Sequence, residues 1–186
     1  MTERLEVDVC VVGAGPVGGA LAGLLAGAVV ATAIVDRAAL PPMEHPDFDG
    51  RAYAIAAGSR AVMQASGLWD RLPIAPGPIT GIRVSDGKVG RPASRLFLHF
   101  DAAEVGDAPF GWMVEARSLR MALNAHMAAL PGLHVFAPAN ASVQRQADGA
   151  LVQVQGGPLV AARLVVAAEG RRSALRGQAG IPVTHL

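Results

Sequence analysis

The chain has 186 residues, a formal charge of +1, 17% charged residues and 52% hydrophobic residues. That length suits one domain or one and a half, and the composition is that of a globular protein with a large apolar interior. The near-neutral balance excludes a nucleic-acid binder or a disordered tail, and Cys10 as the single cysteine excludes an internal disulfide.

The N-terminal run Met1–Glu6 carries two acids and no apolar core, so no secretory signal is expected, and a cytoplasmic location fits. Val7–Val12 is rich in β-branched residues and reads as a strand, with Cys10 as a buried small hydrophobe. Residues 9–35 carry no charge, which is long enough to span a bilayer. Gly15, Gly19, Gly23 and Gly27 also recur every four residues, as in packed membrane helices. However, Gly13-Ala14-Gly15-Pro16 would break such a span near its start. The favoured reading is therefore a strand, a turn and a helix whose small residues let it approach a sheet. Ala31–Val35 follows as a second strand ending in Asp36.

Gly13, Gly15 and Gly18 fit G-x-G-x-x-G, a weak signal alone. Here the motif follows a strand, opens a helix and leads to a second strand with an acid at its end, the context a dinucleotide fingerprint needs. Gly13 turns the chain sharply off the strand, Gly15 leaves room for a pyrophosphate, and Gly18 lets the helix pack closely. Pro16 suits the first helical position, and amides around Val17 and Gly18 would face the phosphates. Asp36 stands where an acid accepts from ribose hydroxyls and disfavours a 2′-phosphate, with Arg37 beside it. The unit is expected to bind the ADP half of a dinucleotide. The competing reading is a glycine-rich turn with a solvated aspartate. Lys88 is the only lysine, so the positive charge is almost all arginine, which suits phosphate but also follows from a general compositional bias.

Residues 37–50 read as a proline-rich loop. Ser59 is expected to cap a short helix ending at Gly67, with Trp69 and Leu72 packing it down. Residues 73–81 read as another loop, and Ile82–Ser85 and Ser94–Phe100 as short strands, with Asp86-Gly87 a turn. Phe110–Val114 reads as a strand. Ser118–Leu130 reads as a helix with Leu119, Ala122, Leu123, His126, Met127 and Leu130 on one apolar stripe, ended by Pro131-Gly132. Leu133–Phe136, Ala141–Gln146, Leu151–Gln155 and Leu159–Ala168 read as a small meander feeding one last buried strand. The five histidines lack metal spacing and no metal site is expected.

Four blocks in order resemble the FAD-dependent aromatic hydroxylases of the para-hydroxybenzoate hydroxylase class, and among them the ubiquinone-biosynthesis hydroxylases that act on polyprenyl phenols. These are Val11–Gly18, Asp49–Ala56, Gly111–Leu119 and Ala168–Arg176. The resemblance implies an α/β, Rossmann-like three-layer fold that binds FAD and uses NAD(P)H, carrying a partial β-rich substrate-domain insertion. The FAD-binding domain would take residues 1–72 and 101–186, and residues 73–100 would be partial substrate-domain strands. Arg51 and Arg117 would reach the flavin or its pyrophosphate; the plainer alternative for each is a surface arginine pairing a nearby acid. Glu169-Gly170 would lie near the pyrophosphate, where the family has aspartate in place of Glu169. The family's members are about twice as long, so the chain reads as an N-terminal portion, truncated before a later Gly-Asp motif.

What the resemblance implies for the parent protein is a monooxygenase: NAD(P)H reduces the flavin and one atom of O2 passes to a phenol ring. A prenylated substrate would bring it to the inner membrane's surface without a span, and a homo-oligomer is compatible with this. No catalytic acid or base stands out in the sequence. The second reading is a non-catalytic FAD-binding module. A third, an ordinary nicotinamide dehydrogenase, is disfavoured because a β-rich insertion precedes Glu169-Gly170, where regular strand–helix alternation would be expected.

Overall fold

A computed structural model describes residues 3–40 and 50–184. In chain order the elements are β1 (Arg4–Val12), α1 (Pro16–Gly27), β2 (Thr32–Val35), β3 (Ala52–Ala56), α2 (Ala57–Ala65), β4 (Gly77–Ile79), β5 (Gly81–Ser85), β6 (Phe97–Asp101), β7 (Gly111–Glu115), α3 (Ala116–Ala129), β8 (Leu133–Phe136), β9 (Ala141–Gln146), β10 (Gly149–Val154), β11 (Leu159–Ala167) and α4 (Ala174–Gln178). The main sheet has six strands in the order β8-β2-β1-β11-β10-β9. The first four are mutually parallel, β10 pairs antiparallel with β11, and β9 antiparallel with β10.

The sheet is central in a three-layer α/β arrangement. On one face Val9, Val11 and Ile34 cluster with Ala22 of α1 and Met127 of α3. On the other, Cys10, Ala33 and Val35 cluster with Val152, Val154 and Val160 of the β10–β11 hairpin. Residues buried from both sides explain the near-continuous apolar runs of β1 and β2, as in parallel sheets generally. Burial in that apolar layer also pushes the Cys10 thiol up to about 11, so it stays protonated at neutral pH.

A third cluster, Met63, Leu68, Val114, Leu119 and Leu123, joins α2, β7 and α3, with Trp69 and Leu72 packed against it as the sequence suggests. The Arg60 guanidinium lies 4.5 Å from the centroid of the Trp112 ring and 5.4 Å from that of Trp69. Here β7 pairs antiparallel with β3 and β4 in a separate three-stranded sheet, while β5 and β6 form a two-stranded ribbon.

Several expectations are corrected. Ser59 is not a cap: α2 begins at Ala57, its N-cap position is Ala56, and no side chain caps it. Likewise α3 begins at Ala116, two residues before the expected Ser118, which is instead fully buried. Part of the expected loop 73–81 forms β4, because Gly77–Ile79 finds a partner in the distant β7. Leu133–Phe136 does not join the meander. It crosses back to pair parallel with β2 at the opposite edge of the sheet. β11 is only partly the buried strand expected: Val160 and Ala162 are buried, yet Leu164 is 55% exposed. The glycine periodicity of α1 serves a helix more than the sheet. A Cβ on Gly19 would meet Leu123, and one on Gly23 would lie 2.6 Å from His126, both on α3. Pro41–Asp49, most of the expected loop 37–50, falls outside the described residues. Among the described residues, no helix is long and apolar enough to cross a membrane.

Candidate dinucleotide site

Register brings the candidate residues together. Val12 pairs with Val35 and with Ala167, and Val35 pairs with Phe136, so β1, β2, β11 and β8 end at one level. The residues that follow each strand therefore share the carboxyl edge of the parallel sheet, where open α/β folds bind ligands. The edge is laced by short backbone bonds: Gly13 N donates to Val35 O at 2.7 Å, Ala168 N to Val12 O at 2.7 Å and Asp36 N to Phe136 O at 3.0 Å.

Gly13 has φ +110°, and a Cβ there would overlap the Ala168 carbonyl and lie 2.8 Å from Glu169 N. Both the backbone conformation and the close approach of the two loops thus demand glycine. Gly18 is demanded for space, since its Cβ would run into the Gly13 carbonyl oxygen. Gly15 differs. It has an ordinary φ of −69°, and nothing lies within 4 Å of where its Cβ would stand. The protein leaves room there that it does not itself use.

Pro16 occupies the start of α1, with no acidic residue in the first turn and no side-chain cap. Among the described residues, the amides of Gly15, Val17 and Gly18 donate to nothing. They are the free donors of a helix N-terminus, reinforced by its dipole. The Asp36 carboxylate bridges the site. Its Oδ2 accepts from Ala14 N at 2.6 Å and its Oδ1 from Ala38 N at 2.8 Å. That fixes the carboxylate against the glycine loop and leaves lone pairs on both oxygens for further donors.

Two cavities meet at this edge and share Gly13, Asp36, Arg37 and Glu169. One, of about 350 Å³, runs along Gly13–Val17 and reaches Gly170 and Arg120. The other, of about 240 Å³, opens toward Ala139–Ala141 and Arg172. The larger cavity, of about 540 Å³ beside β11 and α4, touches this edge only through Gly170 and holds neither the free amides nor Asp36.

Of the sequence candidates, Gly13, Gly15, Val17, Asp36, Arg37, Glu169 and Gly170 line the 350 Å³ cavity, with Gly18 buried under it. Arg51 and Arg117 do not line it. They lie next to each other at one end of the three-stranded sheet, where the Arg51 carbonyl accepts from Ala116 N. Arg117 Nε is paired with Glu115 at 2.6 Å. The Glu169 carboxylate caps the start of α4. It accepts from the Ser173 hydroxyl at 2.5 Å, Leu175 N at 3.1 Å and Ala174 N at 3.3 Å. Glu169 and Gly170, the latter at φ +82°, both line the cavity. Sequence reasoning missed Arg120, Arg172 and the Ala139–Ala141 wall. Arg172 stands within a quoted block, but only the crossing of β8 to the far edge puts Ala139 beside Asp36, whose carbonyl accepts from Ala139 N. Among the described residues, no cluster of His, Cys, Asp or Glu is placed to hold a metal.

The FAD binding domain family matches residues 6–185. The chain is 41% identical over 180 residues to ubiquinone hydroxylase UbiL of Rhodospirillum rubrum, a match covering 96% of this chain and 41% of that protein. It is 32% identical to ubiquinone hydroxylase UbiM of Neisseria meningitidis, covering 95% and 39%. It is 30% identical to 3-demethoxyubiquinol 3-hydroxylase of Escherichia coli, covering 98% and 46%. The chain thus spans less than half the length of these relatives. Among solved structures, the p-nitrophenol 4-monooxygenase PnpA of Pseudomonas putida superposes with a TM-score of 0.71 at 21% identity, covering 96% of this chain and 44% of that one. PqsL, described as a probable FAD-dependent monooxygenase of Pseudomonas aeruginosa, superposes with a TM-score of 0.68 at 22% identity, covering 96% and 47%. These likenesses confirm the fold.

Proposed function

Because the chain belongs to the FAD-binding domain family, we propose that its sheet edge holds the ADP half of FAD. We propose further that the longer protein it represents is an NAD(P)H- and O2-dependent hydroxylase of a polyprenyl phenol in ubiquinone biosynthesis. The observation that carries the reading is the convergence, on one edge, of three undonated amides (Gly15, Val17, Gly18), an unfilled Cβ position at Gly15 and the anchored Asp36 carboxylate.

In this reading the amides and the α1 N-terminus take the diphosphate, and Asp36 accepts from the ribose hydroxyls. Gly13 and Gly18 hold the loop shut beneath, and Arg37 and the Gly170 backbone close its sides. Arg51 and Arg117 would reach the cofactor from the end of β3 and the start of α3. Glu169 acts through its cap on α4, keeping Gly170 in place. When bound, the flavin supplies the redox chemistry, while the protein orients it and excludes water. Residues 73–100 would belong to the substrate domain, and a prenylated substrate would bring the protein to a membrane surface.

A second reading is favoured by one observation. Every residue from 81 to 100 is exposed, including Phe97, Leu98 and Phe100, so this chain taken alone is a flavin-binding module without a closed substrate pocket.

The test is to load the purified chain with FAD, remove free flavin and record the absorbance. NAD(P)H oxidation is then followed with and without a polyprenyl phenol. Retained yellow flavin supports the cradle, and a colourless folded chain that takes up NAD but not FAD contradicts it. Phenol-dependent oxidation by the chain alone would sink the module reading.

A further inference from the structure

The formal side-chain charges of the 350 Å³ cavity cancel, two acids against two arginines, but its hydrogen-bond inventory is unbalanced toward donors. Its two acids are already committed to the protein: Asp36 to the amides of Ala14 and Ala38, and Glu169 to Ser173 and the first amides of α4. Its two cations are not. Arg37 and Arg120 both line the cavity, and neither has a hydrogen-bond or ion-pair partner among the described residues. Three free amides at the start of α1 add further positive potential, with no acid in that first turn to offset it. A surplus of uncompensated donors around a cavity of this size fits a dianion.

Arg120 reaches this cavity because of how α3 is packed. The helix buries Leu119, Ala122, Leu123 and Met127, so position 120 falls on its exposed side. Close approach of Leu123 and His126 to Gly19 and Gly23 holds α3 alongside α1, and Arg120 shares the lining of the cavity with Pro16 and Val17 of the first turn. Arg117, one turn earlier, is paired with Glu115 and does not line the cavity. Arg120 is also absent from the 240 Å³ cavity on the Asn140 side, whereas Arg37 borders both. It therefore belongs to the phosphate end of the site and not to the nucleoside end.

We propose that Arg120, projecting from α3, is the side-chain counter-charge to the diphosphate at the α1 N-terminus. This rests on the dinucleotide reading above and adds a residue to it. A guanidinium presents a planar fork that matches phosphate oxygens, which a helix terminus alone does not supply. The arginine would contribute to affinity for anything carrying the diphosphate and nothing to affinity for the nucleoside.

The experiment titrates the full chain and its Arg120→Gln variant with FAD, ADP and adenosine, by flavin fluorescence quenching and ligand-observed NMR, at low and high salt. Arg117→Gln is carried in parallel. The expected result is that Arg120→Gln weakens FAD and ADP about tenfold, flattens the salt dependence of ADP binding, and leaves adenosine affinity and the melting temperature unchanged. Unaltered ADP affinity in Arg120→Gln overturns the proposal. So does an equal loss for adenosine, which would mark a general disturbance of the site, or a larger ADP loss in Arg117→Gln. Wild-type chain that binds neither ADP nor FAD overturns the dinucleotide reading itself, a failure distinct from that of Arg120.

Discussion

Ile34 in β2 is 1% exposed and Leu98 in β6 is 63% exposed, although both are aliphatic residues in mid-strand. The first belongs to the parallel sheet that ends in the dinucleotide edge, the second to the β5–β6 ribbon. Around Ile34 the chain supplies its own cover from α1 and α3. Around Leu98 it supplies none: residues 81–100 are exposed on both faces of the ribbon. The comparison separates two kinds of structure in one chain. One is stabilised by burial that is complete within 186 residues, and the other carries apolar side chains that this chain leaves in water.

That contrast is sharpest as a pair of truncations. Ile34→Ala should cost about 3 kcal/mol of unfolding free energy, as expected for a large-to-small change in a packed core. Leu98→Ala should change it by less than about 0.5 kcal/mol, as for an exposed site. Urea denaturation of both variants checks the difference, and equal costs would break the comparison. A smaller but more local loss is expected from Gly18→Ala. Its methyl must displace the Gly13 carbonyl, so stability should fall by about 2 kcal/mol and flavin binding should disappear with it, by melting and fluorescence titration.

A gain is expected at Val29, which follows α1 with φ +62° and is 93% exposed. A β-branched residue in that region is strained and here buries nothing in return. Val29→Gly should raise stability by about 1 kcal/mol, read as a higher melting temperature.

The last effect is one of pH. His126 is buried beside Gly23 with neither ring nitrogen hydrogen-bonded, and burial, then the Arg71 charge, lowers its pKa. The unfolded chain therefore binds this proton more readily than the folded one. Stability is full above the ordinary histidine value of about 6.5 and falls as pH drops from there toward the lowered value. Melting curves from pH 7.5 to 5 should show the decline, and His126→Leu should flatten it.

The same comparison explains what was legible in the sequence. The edge was readable because its motif is compact in sequence: Gly13 turns the chain at φ +110°, Gly18 makes room for the Gly13 carbonyl five residues back, Gly15 sits between them with its Cβ position open, and Asp36 closes the same β-α-β unit. The alternation of β6 was readable too, but alternation states only that a strand has faces and not what covers them. Elements that depend on distant partners were lost. β3 is alanine-rich, with only Tyr53 and Ile55 half-buried, and it exists through pairing with β7 far along the chain. β8 follows α3 directly, so the sequence offers no sign that it returns to β2. Arg120 was hidden for the same reason: α3 was predicted, and its apolar stripe holds from Leu119 to Met127, with Leu130 falling just past the helix end, but which neighbour met its polar side was a matter of tertiary packing. Glu169 was found by position, while the donors of its carboxylate, the Ser173 hydroxyl and the first amides of α4, are set by the turn that follows it.

The central claim, that the sheet edge is the cradle for the ADP half of FAD, is tested most directly at Gly15. Its backbone is compatible with alanine and its Cβ position is empty of protein. The purified chain and Gly15→Ala are compared by melting temperature and by FAD titration. The account predicts the same melting temperature and at least a tenfold loss of FAD affinity, since the methyl takes space kept for the diphosphate. Undiminished FAD binding by a stable Gly15→Ala protein would contradict it.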